Sequence, residues 1–149
     1  MKDSSIFGSF NWMCGSLGRT RGNASRSGFI LGKSSTVTSR HFLDAQYTIH
    51  IGEFSTIAGV RSTVFSHSMN LYDCKQEGSP VVVGDYAFVG SNALILPGVH
   101  IADRVIVGAG VTLTKSEYES DMIYLGASGK AKAIDREVLY FNRETGFVK

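Results

Sequence analysis

His67 opens a polar run at residues 66–80 that interrupts an otherwise apolar and regular stretch. An imidazole with an ordinary pKa of about 6.5 can take a proton from a hydroxyl near neutral pH, and a general base of this kind is worth roughly 10²–10⁴-fold in rate. On the residues alone, a solvated loop histidine remains the alternative. Ser66 beside it does not make a serine nucleophile, because sequence neighbours seldom face one another and no nucleophile-elbow motif surrounds the pair. His41, His50 and His100 are scattered singly. Cys14 and Cys74 are the only cysteines, too few for a disulfide framework, and both read as free thiols.

These groups need a scaffold, and composition limits what it can be. The chain has 149 residues, enough for one domain, with 43% hydrophobic and 19% charged residues and a formal net charge of +2. That balance excludes a disordered chain, and the lack of a basic stripe excludes a nucleic-acid coat. No apolar run approaches the about 18 residues of a membrane span, and the first residues lead into no signal-type stretch, so a cytoplasmic protein is expected. Seventeen glycines against two prolines call for many tight turns.

The turns have a period. Val83, Val89, Ile95, Ile101, Val107 and Leu113 recur every six residues, which the 43% apolar frequency would give by chance in roughly 0.6% of cases. The residues that follow them are Gly84, Gly90, Leu96, Ala102 and Gly108, small at all but Leu96, and a second column runs through Ala87, Ala93, Val99, Val105 and Val111. A helix needs steps of three and four and a strand needs alternation, so neither explains a strict six. A triangular coil does: each hexad is one short strand and one corner, three hexads close a turn, and stacked turns bury the aliphatic column. The hexad recurs at Ile51 and Ile57 and more weakly at Leu31, Val37 and Leu43. The step from 43 to 51 is eight residues instead of six, and that from 63 to 83 is 20 instead of 18, so the coil is interrupted twice. Residues 1–28 read as an irregular leader, 29–115 as the coil with an extruded loop at 66–80, and 116–149 as a C-terminal strand, Met122 to Gly126, and a short helical cap at residues 131–143.

The segment Val83-Gly84-Asp85-Tyr86-Ala87-Phe88-Val89-Gly90, the Pro97-Gly98-Val99 corner, the Gly108-Ala109-Gly110 turn and the Thr114-Lys115 end resemble, in that order, the hexapeptide-repeat acyltransferases, in particular the branch of galactoside, maltose and other sugar O-acetyltransferases. The resemblance covers about residues 31 to 136. It implies an all-β, left-handed parallel β-helix, a homotrimer, and acetyl-CoA bound in grooves between subunits as the acyl donor. It implies that His67 is the general base and that a hydroxyl of a sugar or saccharide is acetylated without a covalent enzyme intermediate. Asp44 is the candidate for contacting the acceptor or orienting His67. Along the coenzyme it implies Phe88, Ser91 and Ala109 on the pantetheine arm, with Thr114, Lys115, Lys132 and Arg136 toward the phosphates, where cationic groups suit the charge. The related β-helix carbonic anhydrases hold zinc with two histidines five residues apart, a spacing absent among 41, 50, 67 and 100, so no metal is expected.

The sequence also departs from that pattern. Phe88 stands where the family commonly has tryptophan, and Gly126 to Lys132 replaces a proline-containing turn. The second functional class is therefore a non-catalytic trimeric β-helix that keeps the scaffold as a binding or assembly module.

Overall fold

The computed structural model describes residues 5–15, 27–114 and 116–146. The chain winds a prism of triangular section. Its first turn is β1 (Ile6–Phe7), β2 (Trp12–Cys14) and β3 (Phe29–Leu31), and its second is β4 (Thr36–Val37), β5 (Phe42–Asp44) and β6 (Ile49–Ile51). The third begins with β7 (Thr56–Ile57) and β8 (Thr63–Phe65), leaves the prism as the hairpin β9 (His67–Asn70) and β10 (Lys75–Gly78), and returns as β11 (Val81–Val83). The fourth is β12 (Phe88–Val89), β13 (Leu94–Ile95) and β14 (His100–Ile101), and the fifth is β15 (Ile106–Val107), β16 (Thr112–Leu113) and β17 (Glu117–Tyr118). Then β18 (Met122–Leu125) extends the first face and β19 (Lys130–Ala133) folds back on it.

Every third strand stacks in parallel, which gives three faces: β1-β4-β7-β12-β15-β18, β2-β5-β8-β13-β16, and β3-β6-β11-β14-β17. The six-residue period is the spacing that returns an aliphatic side chain to the axis at each face. Val37, Ile57, Val89, Val107 and Tyr124 are in register on the first face. Leu43, Val64, Ile95 and Leu113 stack on the second, and Leu31, Ile51, Val83, Ile101 and Tyr118 on the third. Apart from half-buried Leu31, these side chains form the buried core.

The corners are where the backbone is forced. Ser34, Phe54, Tyr86, Arg104 and Asp121 hold left-handed φ of 54–61° in successive third-to-first corners, and Phe10, Arg40, Arg61 and Asn92 hold 56–62° in first-to-second corners. Such residues are strained without compensation. Their outward side chains stack on the next turn: the Phe54 and Tyr86 rings lie parallel with centroids 4.9 Å apart. Arg104 forks onto the two carboxylate oxygens of Asp121 at 2.6 and 3.2 Å, and this guanidinium holds the Asp121 carboxyl below its usual range.

Two segments differ from their sequence reading. Residues 6–7 and 12–14 are not irregular: they pair in parallel with β4 and β5 and form the first turn of the prism. Strands of two and three residues separated by corners are too short to show a period by themselves. Residues 131–143 do not form a helix. Gly126 and Gly129 take φ of 73° and 62°, the Gly129 N–H donates to Gly126 O at 2.9 Å, and β19 pairs antiparallel with the edge that β18 would otherwise expose. The chain then crosses the first face with a 3₁₀ turn at Leu139–Asn142, burying Phe141.

His41 sits in the core at the first-to-second corner, 2% exposed. Its Nδ1 accepts the Ser62 N–H at 3.1 Å, so the neutral ring carries its proton on Nε2 and donates to Thr38 Oγ1 at 2.8 Å. Burial pushes this imidazole below its ordinary pKa. The unfolded chain therefore binds a proton that the folded chain refuses, and stability present above about pH 6.5 is lost as pH falls below it. Thermal melts between pH 7.5 and 5 will show a fall in Tm for the wild type that His41→Asn reduces; parallel curves for the two proteins would contradict this.

Candidate active site

The interruptions gather at the second-to-third corner. Residues 45–48 lengthen it in the second turn, and the hairpin leaves from it in the third. In the hairpin, His67 pairs with Gly78 and Asn70 with Lys75. A Cβ at Gly78 would run into the Ser66 carbonyl and the Tyr47 ring, so only glycine lets the hairpin root close against the prism. A polar cleft of about 460 Å³ lies against this root, lined by Tyr47, Ser68, Gln76, Glu77, Gly78, Ser79 and Pro97.

At the root, Asp44 ends β5 and is 1% exposed, while the His67 side chain is 29% exposed. A buried carboxylate must have its lone pairs occupied. Oδ2 accepts His67 Nδ1–H and the Ser66 N–H at 3.4 Å, and Oδ1 accepts the Gln46 N–H at 3.3 Å and the Cys14 thiol at 3.9 Å. Ser66 Oγ donates to the Asp44 carbonyl at 2.5 Å and accepts the Tyr47 N–H at 2.8 Å. Ser66 is thus committed to holding the corner. A carboxylate on Nδ1–H fixes the neutral tautomer whose lone pair is on Nε2, and among the described residues Nε2 has no partner. The pair can therefore accept a proton at Nε2 and stabilise the imidazolium that results.

The other expected residues lie elsewhere. Ser91 and Ala109 occupy first-to-second corners, across the whole second face from His67. Ser91 Oγ accepts the Val60 N–H at 3.3 Å, and Ala109 is exposed. Phe88 is on the first face, packed edge-on against Tyr140 at 5.5 Å. The exposed Thr114 is two turns beyond His67, its N–H donating to Tyr118 Oη at 2.8 Å. Lys132 is exposed on β19, and Arg136 pairs with Asp121 at 2.7 Å. Lys115 lies outside the described residues. One chain therefore unites His67 with Asp44 and does not bring either to the small-residue corners. Cys14, unassigned from sequence, is the carboxylate's fourth neighbour; only its pairing opposite Asp44 in the first turn reveals it. No three His, Cys, Asp or Glu side chains cluster as a metal site among the described residues, and none of the described helices is long and apolar enough to cross a membrane.

This fold and repeat have known counterparts. Residues 80–115 match the bacterial transferase hexapeptide (six repeats) family. A maltose O-acetyltransferase from Clostridium difficile 630 superposes with a TM-score of 0.73 at 20% identity, over 89% of this chain and 67% of that one. A hexapeptide-repeat acetyltransferase from Vibrio cholerae, solved with acetyl coenzyme A, superposes at 0.69 with 18% identity, over 87% of this chain and 71% of that one. The prism is accordingly the left-handed β-helix expected from the sequence. In sequence, a galactoside O-acetyltransferase from Escherichia coli (strain K12) is 34% identical over 74 residues, 46% of this chain. The match spans 36% of that relative's length.

Burial, then the neighbouring Asp44 charge and its hydrogen bond, push the Cys14 thiol up. Replacing Asp44 by Asn removes the charge. Alkylation of Cys14 by iodoacetamide at pH 8, followed by mass spectrometry with exposed Cys74 as the internal reference, will be faster in Asp44→Asn than in wild type. An unchanged ratio of the two rates would contradict the contact.

Proposed function

We propose that the protein is an acetyl-CoA-dependent O-acetyltransferase acting on a hydroxyl of a saccharide. The observation that carries this reading is the His67 imidazole tied at Nδ1 to a buried carboxylate with Nε2 open, at the root of a loop thrown out of a hexapeptide-repeat prism. Support for the donor comes from the acetyl-CoA complex of the Vibrio cholerae neighbour, and support for the acceptor from the maltose and galactoside enzymes among the similar proteins.

In this mechanism the acceptor hydroxyl gives its proton to His67 Nε2 as its oxygen attacks the acetyl carbonyl carbon. Asp44 acts through His67 by holding the Nδ1–H and offsetting the imidazolium charge. The tetrahedral intermediate collapses with cleavage of the C–S bond, and the proton passes from Nε2 to the departing thiolate, so acetyl-CoA and alcohol become ester and CoA. No enzyme nucleophile is needed.

Because Ser91 and Ala109 sit one corner away from His67, the coenzyme groove in this reading lies between neighbouring copies of a homotrimer. There the pantetheine arm runs past the small corners of one copy toward His67 of the next. Thr114, Lys115, Lys132 and Arg136 serve the phosphate end. Phe88, packed under Tyr140, reaches the arm only as part of the first face.

Calorimetric titration with acetyl-CoA, paired with a thiol assay of CoA release over a saccharide panel, tests the reading. Wild type will bind the coenzyme at micromolar affinity and transfer its acetyl group; His67→Ala will keep the affinity and lose about 10²–10⁴-fold in transfer rate. Absence of coenzyme binding, or transfer undiminished in His67→Ala, would replace the enzyme by the scaffold alternative.

A further inference from the structure

Ser66 stands between β8 and the hairpin strand β9, and the proton transfer leaves it unused. It is fully buried, yet each of its polar groups is engaged. The hydroxyl donates to the Asp44 carbonyl at 2.5 Å and accepts the Tyr47 N–H at 2.8 Å. The backbone N–H donates to Asp44 Oδ2 at 3.4 Å, and the backbone carbonyl accepts the Ser79 N–H at 3.0 Å. One residue thereby holds the main chain of the lengthened second-turn corner, the carboxylate that begins that corner, and the point where the hairpin returns.

These bonds close a circuit. Asp44 is locked into the ladder opposite Phe65, whereas His67 belongs to the hairpin and follows the ladder only through Ser66. Tyr47, whose N–H Ser66 holds, lays its ring against Gly78, and Gly78 is the strand partner of His67. His67 Nδ1 then returns to Asp44 Oδ2. The imidazole therefore meets the carboxylate from a fixed direction. The ladder holds only the ends of the corner, where the Ala45 N–H donates to Cys14 O at 2.7 Å and Thr48 O accepts the Val81 N–H at 2.9 Å. Between them the Gln46 N–H is spent on the Asp44 carboxylate and the Tyr47 N–H on the Ser66 hydroxyl, so the middle of the corner is placed by side chains. A methyl in place of the hydroxyl takes a partner from both Asp44 O and the Tyr47 N–H.

We propose that Ser66 is a positioning residue for the transfer reaction: its hydroxyl ties the second-turn corner to the hairpin root, and so keeps His67 Nδ1 on the Asp44 carboxylate and Nε2 open to the acceptor. This rests on the acetyltransferase reading for the identity of the reaction, and on the geometry alone for the positioning. Ser66 acts through Asp44 and His67 and touches no reacting atom. A hydroxyl suits the task because it is the smallest side-chain group that donates and accepts at once. Without it Asp44 keeps its backbone N–H donors, but the corner and the hairpin root are free to move apart. The His67 ring then divides between its two tautomers, and only the fraction with the proton on Nδ1 presents Nε2 as a base.

The test compares the full-length wild type with Ser66→Ala, which removes the hydroxyl, and Ser66→Thr, which retains it. Long-range nitrogen-proton correlation spectra of the labelled proteins will show His67 leaving its single Nδ1–H pattern for an averaged one in Ser66→Ala and returning to it in Ser66→Thr. With acetyl-CoA and the saccharide panel, Ser66→Ala will lower kcat about tenfold at an unchanged KM for acetyl-CoA, a part of the roughly 10²–10⁴-fold that a general base supplies, and Ser66→Thr will recover most of that loss. Where Ser66→Ala does not fold, Ser66→Cys, which weakens both hydrogen bonds, takes its place and is read in the same way. A role confined to stability would lower Tm and leave the tautomer and kcat of the folded protein as they are. An unchanged His67 pattern or an unchanged kcat in the variant therefore overturns the proposal, as does a folded Ser66→Thr protein that behaves like Ser66→Ala. A changed tautomer in Ser66→Ala, with no transfer by the wild type to any saccharide, leaves the positioning standing and counts against the acetyltransferase reading. Transfer by the wild type with a tautomer indifferent to Ser66 does the reverse.

Discussion

The molecule depends on the stacking of one turn on the next in fixed register. Each turn is too small to bury its own aliphatic residues, and the backbone ladder between turns holds Ile51 over Val83 over Ile101 and Leu43 over Val64 over Ile95. A parallel strand two or three residues long has little stability alone, so the free energy lies in the contact between neighbouring turns. That explains why the C-terminal edge of the first face is closed. β19 covers the last edge on the first face, and the chain beyond it lays Tyr140 against Phe88, its hydroxyl donating to the Ala87 carbonyl at 3.0 Å. It also explains the left-handed corners, whose strain is offset by stacked side chains outside and aliphatic burial inside.

A register this strict has one economical place for irregularity, the corner. The second-to-third corner takes extra residues in the second and third turns, and those insertions supply Tyr47, Ser66, His67 and Gly78. Asp44 is fixed by the ladder while His67 belongs to the insertion, so their contact joins the rigid part of the molecule to the projecting hairpin. Hydrogen bonds from the Ser66 and Gln46 N–H groups aim the carboxylate at the imidazole. In the proposed reaction, a proton acceptor held in this way requires no rearrangement when a hydroxyl arrives.

Much of this was legible in the sequence because the period of six is a property of single residues in order. Val83 through Leu113 announce the coil, and steps of eight and 20 announce where it is interrupted. His67 stood out as a histidine opening a polar loop, whereas Asp44 was named only through the family resemblance. What stayed hidden depends on neighbours a full turn apart. Trp12 beside Phe42, Cys14 beside Asp44, and Arg40 beside Arg61 are separated by 21 to 30 residues, distances set by the interruptions and not by the repeat. The first turn was missed because β1 and β2 expose most of their side chains at the end of the prism, where apolar periodicity has nothing to bury. The helix expected over residues 131–143 was overridden by an unpaired strand edge, a tertiary demand that local propensity does not encode.

The central claim is that Asp44 sets the tautomer of His67 so that Nε2 is the proton acceptor. Long-range nitrogen-proton correlation spectra of uniformly nitrogen-15-labelled protein at pH 7.5 read this directly. The structure predicts a His67 signal with the proton on Nδ1 and a lone pair on Nε2 in wild type, and loss of that fixed pattern in Asp44→Asn. A His67 ring protonated at Nε2 in the wild-type protein, or a pattern indifferent to Asp44, would contradict the account.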